Sequence, residues 1–220
     1  FLKATKMELG INNSWSGSCA SGTITSAGQT DGRINTIDDN GTPDVVIIYL
    51  GTNDCASAVS TKEFTAAIET MIKKINALCN TQIFITTLGY AEYNNGKYSD
   101  ATRVEYNAAI RQLAEQFECG IVPLDEYILD DNYSIYLGDR LHYNAKGANL
   151  LSLVYEKSIK EYFGIEFDKE IEVEHLEKLP EGVVAQITAT SNTDFWGGYA
   201  TNIYLFEAAN VPNALYSHKI

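Results

Sequence analysis

The segment Asp139-Arg140-Leu141-His142 carries the residue types of a general base and its partner. A histidine titrates near neutral pH, so it can take a proton from a hydroxyl nucleophile and return it to a leaving group. Its other ring nitrogen needs an acceptor that fixes the tautomer, and an aspartate three residues earlier on a tight loop can supply one. The spacing predicts a dyad of Asp139 and His142, but a surface loop ending in a helix N-cap would have the same composition.

Two further segments carry groups that can stabilise negative charge. Gly51-Thr52-Asn53-Asp54 directly follows an apolar run, and the Asn53 amide can donate to a developing oxyanion. Residues 12–18 form a loop of small and polar residues, where the backbone N–H of Gly17 can do the same. Taken singly, the first segment is also an ordinary Asn-Asp turn and the second a polar turn.

Alternating strand and helix patterns must position these segments. Residues 44–50 form a continuous apolar run between Pro43 and Gly51, which predicts a central parallel strand buried on both faces. Further strands are predicted at 8–11, 82–88 and 121–124, and amphipathic helices at 61–78, 100–117 and 145–162. This alternation predicts an α/β fold with a parallel sheet between two helical layers, in which ligands bind beyond the carboxyl ends of the strands.

The character of the chain changes after Gly164. Residues 1–164 are predicted to form the α/β domain, and the acidic residues 165–182 a charged connector. Residues 183–220 contain two strand-like stretches around Gly197-Gly198 and no helical pattern. This tail is therefore predicted to be a C-terminal β appendage or part of a β module, and it could pair with another chain.

Composition excludes several classes of partner. The 220 residues carry a formal net charge of −13, so nucleic acid and anionic membrane surfaces are poor partners. No apolar run is long enough to span a membrane, and no signal peptide is visible.

The four cysteines are isolated in the sequence and contain no C-x-x-C pair, which disfavours a zinc site. Buried free thiols are favoured, and a disulfide between Cys79 and Cys119 is left open. The tyrosines at 90, 93, 98, 133 and 136 would suit a sugar-lined cleft or simply fill the core.

In order and spacing, the three polar segments resemble the blocks of the GDSL, or SGNH, family of serine ester hydrolases. Ser16-Gly17 is similar to the second block, Gly51-x-Asn53-Asp54 to the third, and Asp139-x-x-His142 to the fifth. The run 106–110 also looks like a family helix. The resemblance covers about residues 1–164. It implies a flavodoxin-like three-layer sandwich with Gly17 and Asn53 as oxyanion donors, His142 as base and Asp139 as its orienting partner.

The resemblance also implies a reaction and its substrates. The reaction would be hydrolysis of a small acyl ester, acetylated carbohydrate first, with no metal or organic cofactor. A bacterial protein that is secreted or held at the cell surface fits the same resemblance. Two rivals belong to other classes: a carbohydrate-binding or interaction protein that keeps the fold without catalysis, and a flavin or nucleotide binder, which the absence of a Gly-rich phosphate loop disfavours.

One block of the family is missing. No Gly-Asp-Ser, the block that supplies the nucleophile, occurs in the 220 residues. Three explanations compete: a fragment of a longer enzyme, a tail that takes the place of the missing strand, and a domain that only binds. In the second, Ser191 at the end of an apolar stretch is the candidate nucleophile. The serines at 14, 16 and 18 are poorer candidates because they belong to the loop that would supply a donor.

Overall fold

The computed structural model describes residues 1–14, 16–21, 33–92, 97–176, 183–191 and 199–207. They fall into two compact units, Phe1–His175 and Leu176–Ile220. In the first unit, strands β1 (Val45–Ile48), β2 (Gln82–Thr86) and β3 (Gly120–Val122) form a parallel sheet in that order. Its helices are α1 (Leu2–Thr5), α2 (Thr52–Ala56), α3 (Thr61–Leu78), α4 (Asp100–Gln116), α5 (Tyr133–Tyr136) and α6 (Ala145–Tyr162).

Side chains of the central strand β2 alternate between two cores. Ile83 and Ile85 pack with the buried faces of α3 and α4, whereas Phe84 packs with the buried face of α6. This follows from the period of two in a strand, which sends successive side chains to opposite faces of the sheet. The three-layer α/β architecture predicted from the sequence is therefore confirmed.

The three long helices begin at the predicted positions, and each has a side-chain cap. The side chains of Ser60, Ser99 and Asn144 accept hydrogen bonds from backbone N–H groups three residues later. Such caps satisfy N–H groups that have no partner within the helix, which is why Ser and Asn mark helix starts so clearly.

Two strand predictions were wrong in part or in whole. Residues 45–48 do form a strand, but β1 lies at the edge of the described sheet and Val45, Val46 and Ile47 are only half-buried. Residues 8–11 are not a strand, and residues 8–10 are exposed. A strand depends on neighbours for its backbone hydrogen bonds. Within the described residues, β1 has a neighbouring strand on the β2 side alone, and no described strand pairs with residues 8–11.

Residues 165–175 belong to the first unit and pack on its core. Ile171 and Val173 contact the core beside α6, and the Lys169 ammonium lies 2.6 Å from a carboxylate oxygen of the buried Glu156. In the second unit, β4 (Val183–Ser191) and β5 (Tyr199–Glu207) pair antiparallel, with Val183 opposite Glu207 and Ser191 opposite Tyr199. The turn predicted at 197–198 lies outside the described residues. The domain boundaries at 164 and 182 stay predictions.

No described helix combines the length and the apolar character that crossing a membrane requires.

Candidate active site

Asp139 and His142 form the expected pair. The Nδ1 atom of His142 lies 2.7 Å from Oδ2 of Asp139. A proton on Nδ1 is held by the carboxylate, so Nε2 keeps the lone pair that a general base needs. The side chains are exposed, His142 to 77% and Asp139 to 59%. The pair can therefore accept a proton from a group approaching from solvent.

The loop that carries the pair, residues 139–142, is closed by local hydrogen bonds; we call it the dyad loop. Oδ1 of Asp139 accepts the backbone N–H groups of Leu141 (3.1 Å) and His142 (2.6 Å). Gly138 N donates to the His142 carbonyl at 2.8 Å, and the flanking residues Leu137 and Tyr143 form an antiparallel β-bridge. All of these bonds join residues within the seven-residue stretch 137–143, so this stretch alone determines most of the conformation of the dyad loop.

These bonds also set the charge state of the carboxylate. Partial burial raises the pKa of Asp139, but donation from the His142 backbone, the His142 ring and the Leu141 backbone outweighs it and lowers this pKa to about 2. Asp139 is thus ionised at any pH at which an esterase works, and it can stabilise a positive charge that develops on His142.

The first turn of α6 fits against the dyad loop. Asn144 caps α6 by accepting the Gly147 N–H at 3.0 Å, and its amide donates to the Ile135 carbonyl at 2.8 Å. A Cβ at Gly147 would lie 2.1 Å from the Tyr136 carbonyl oxygen and 2.9 Å from the Tyr143 ring. Glycine is therefore required at this position by the close approach of the loop.

Residues 51–54, which we call the Asn53 segment, leave the carboxyl end of β1 through an unusual backbone turn. Gly51 has a φ of 129°, a conformation that favours glycine. A Cβ there would come within 3.0 Å of Leu88 and 3.1 Å of Phe64. The turn starts α2, which places Asn53 and Asp54 in its first turn.

Asn53 and Asp54 hold the loop that contains Gly17. The Asn53 amide donates to the Ser18 carbonyl at 3.0 Å. The fully buried carboxylate of Asp54 accepts the Ala20 N–H at 2.8 Å and the Ser21 N–H at 2.9 Å. Gly17 itself is exposed, with a φ of 76°. The structure thus brings the two predicted donor segments together.

Asp54 was missed by sequence reasoning, which treated it as part of a turn. Its partners lie 33 and 34 residues earlier in the chain, so no local pattern marks them. The part-buried hydroxyl pair of Tyr49 and Tyr143, which joins the end of β1 to the residue after His142, was missed for the same reason.

The remaining candidates are placed as follows. Ser18 is buried, whereas Ser14 and Ser16 are exposed. Ser191 ends β4 in the second unit, and its assignment as the nucleophile stays a prediction.

The aromatic and cysteine predictions concern other parts of the chain. The rings of Tyr90 and Tyr133 form a pair with centroids 5.0 Å apart, and Tyr93 lies outside the described residues. All four cysteines carry free thiols. Within the described ranges, no group of three or more His, Cys, Asp or Glu side chains is arranged to hold a metal ion.

The three-layer fold, the His–Asp pair and the Asn53 segment at the carboxyl end of β1 define an α/β protein of the SGNH-hydrolase type. The chain belongs to the GDSL-like lipase/acylhydrolase family, whose sequence model matches residues 4–150. A comparison with curated proteins returned no match.

Solved structures confirm the fold. A protein named TesA superposes with a TM-score of 0.57 at 17% identity, covering 73% of this chain and 83% of TesA. A variant of an acetyl xylan esterase from Geobacillus stearothermophilus gives 0.53 at 18% identity, covering 73% and 74%. A Bacillus subtilis protein, YXIM, gives 0.50 at 24% identity and covers 66% of this chain; the chain spans only 43% of that protein's length.

Proposed function

We propose that this protein hydrolyses esters by acyl transfer to water. The observation that carries the proposal is the 2.7 Å contact between His142 Nδ1 and Asp139 Oδ2, on a loop tied to the carboxyl end of β1. Membership of an acylhydrolase family supports the same reaction class.

In the proposed reaction, a serine hydroxyl attacks the ester carbonyl while His142 Nε2 takes its proton. Asp139 holds the imidazole and stabilises the imidazolium that forms. The Asn53 amide and the Gly17 N–H donate to the oxyanion, each such donor being worth about 3 kcal/mol in typical enzymes. His142 then protonates the leaving alcohol, and water, activated by the same base, releases the acyl group and regenerates the serine.

The proposed substrates are small acyl esters, with acetylated carbohydrate first among them. One solved neighbour is described as an acetyl xylan esterase, which agrees with this choice. The charge of −13 also favours neutral esters over anionic ones, because a strongly negative protein repels anions.

A matched pair of histidines tests the proposal. His175 Nδ1 lies 3.1 Å from the carboxylate of Asp131, in an exposed pair much like that of His142 and Asp139. His175 lies outside the three segments that resemble the family blocks. With p-nitrophenyl acetate as substrate, we expect His142→Ala to lower kcat/KM by about a hundredfold or more. His175→Ala should stay within about twofold of the parent chain. Equal losses in both variants would contradict the role of His142.

The nucleophile requires its own test. Ser191→Ala should abolish hydrolysis if the tail supplies the serine, and unaltered activity eliminates that version. A chain extended upstream by its native sequence tests the alternative that the serine lies on a preceding block. If neither chain hydrolyses any short ester, the esterase proposal fails.

A second function is favoured by one observation, the lack of any Gly-Asp-Ser in the 220 residues. A protein with this fold and no nucleophile would bind an acetylated carbohydrate without cleaving it. Calorimetric titration with such a sugar separates the two: binding with no release of acetate supports the binding protein, and release of acetate supports the enzyme.

A further inference from the structure

The hydroxyl groups of Tyr49 and Tyr143 are hydrogen-bonded to each other across 94 residues of sequence. Tyr49 directly follows β1 and lies two residues before the Asn53 segment. Tyr143 directly follows His142. The bond therefore connects the two halves of the candidate site, the half with the oxyanion donor and the half with the base.

The other bonds of the dyad loop cannot make this connection. Those described above join residues 135–147 to one another, so they orient His142 relative to Asp139 but not relative to Asn53. One more link reaches the loop from outside: the Glu92 N–H donates to the Arg140 carbonyl at 3.0 Å, and the Arg140 guanidinium lies 2.9 Å from the Glu92 carboxylate. That link leads to the segment after β2 and not to the Asn53 segment.

The surroundings of the tyrosine pair make it a firm link. Burial raises the pKa of both Tyr49 and Tyr143 well above the ordinary value, so both hydroxyls stay neutral at any working pH. The Tyr49 ring packs against both hydrophobic cores of the sheet. The Tyr143 ring lies against Gly147 at the start of α6, where a Cβ would approach it to 2.9 Å. Neither ring can shift without disturbing a packed neighbour.

We infer that Tyr49 and Tyr143 are positioning residues, which set the distance between His142 and the Asn53 segment through their shared hydrogen bond. This inference rests on the proposed function, because it assigns the bond a purpose in that reaction. Misplacing a catalytic group by about 1 Å can reduce rates by up to a hundredfold, so the loss of this one hydrogen bond should lower the rate of the reaction.

The chain contains a matched control. Tyr155 is buried in the core cluster against which Tyr49 and Tyr143 pack. Its hydroxyl bonds to Thr86 Oγ1 at 2.8 Å, and this bond joins neither the Asn53 segment nor the dyad loop. Tyr49→Phe, Tyr143→Phe and Tyr155→Phe each remove one hydroxyl and keep the ring. Each loses one hydrogen bond, part-buried between Tyr49 and Tyr143 and buried at Tyr155, so the cost in global stability should be at least as large for Tyr155→Phe as for the other two.

Amide hydrogen exchange of the full chain tests the link without requiring activity. We expect Tyr49→Phe and Tyr143→Phe to speed exchange at Gly138 and Asn144 by about fivefold, since one hydrogen bond of typical net strength is lost. Tyr155→Phe should leave these two amides within about twofold of the parent. If Tyr49→Phe behaves like Tyr155→Phe at these amides, the inference is overturned.

Kinetics with p-nitrophenyl acetate then test the purpose of the link. We expect Tyr49→Phe and Tyr143→Phe each to lower kcat about tenfold with KM nearly unchanged, and the double variant to be no worse than either single one. An equal loss of kcat in Tyr155→Phe would overturn the positioning role. If the parent chain and its upstream-extended form are both inactive, the proposed function fails, and the exchange experiment alone decides whether the link exists.

Discussion

The Asn53 segment and the dyad loop are built in opposite ways. Asp54 is fully buried and binds backbone groups 33 and 34 residues away, whereas the dyad loop is exposed and closed by bonds within seven residues. The first segment therefore depends on the whole fold, and the second depends mainly on its own sequence. Changes in the first should cost stability, and changes in the second should cost activity with little loss of stability.

The largest expected effect is the loss of the Asp54 carboxylate. Asp54→Ala leaves the N–H groups of Ala20 and Ser21 without their acceptor, so we expect a loss of about 3 kcal/mol in the free energy of unfolding. Asp139→Ala, at an exposed site, should cost less than about 1 kcal/mol. Urea unfolding of both variants measures the difference, and similar losses would show that the comparison is wrong.

A smaller effect is expected at the turn into the Asn53 segment. Gly51→Ala places a Cβ at a φ of 129° and within 3.0 Å of Leu88, so we expect a loss of about 2 kcal/mol. The control is Gly138→Ala beside the dyad loop, where a Cβ would meet its nearest neighbour at 3.8 Å. Gly138→Ala should change stability by less than about 0.5 kcal/mol. Thermal melts of both glycine variants measure the difference, and equal losses would contradict it.

The smallest effect is the pH dependence of the dyad loop. The pKa of Asp139 is about 2 in the folded chain and 3.8 ordinarily, so its contacts stabilise the fold above about pH 4 and are lost as the pH falls through about 2. Asp139→Asn should remove this part of the acid sensitivity, which amounts to less than about 1 kcal/mol because the group is exposed.

Carboxyl NMR titration checks the cause of that shift. His142→Gln keeps the backbone donors of residues 141 and 142 but removes the ring, so the pKa of Asp139 should rise only part of the way to 3.8. A complete return would mean that the ring alone holds the carboxylate.

The same contrast explains how far the sequence can be read. Short sequence patterns predict the elements that depend on contacts between near neighbours. These are the dyad loop, the helices, and the helix caps at Ser60 and Asn144. The position of β1 at the edge of the described sheet depends on which strands are its neighbours, which an apolar run cannot reveal.

The predicted donor roles illustrate the limit more sharply. Asn53 lies after a strand end, as predicted, and its donor role stays a prediction. Its neighbour Asp54 and the pair of Tyr49 and Tyr143 require knowledge of distant partners. Their side chains are ordinary in sequence terms. Only the folded chain shows that a buried carboxylate and two half-buried hydroxyls join separate segments.

The edge position of β1 has a consequence for handling the protein in solution. Val45, Val46 and Ile47 are half-buried on a strand with one side unpaired within the described sheet, the kind of strand that pairs with other chains. A net charge of −13 opposes such encounters through mutual repulsion. Salt shortens the range of that repulsion to about 8 Å at physiological ionic strength. Colloidal stability should therefore decline as the ionic strength rises, and low-salt buffers should keep concentrated samples clear.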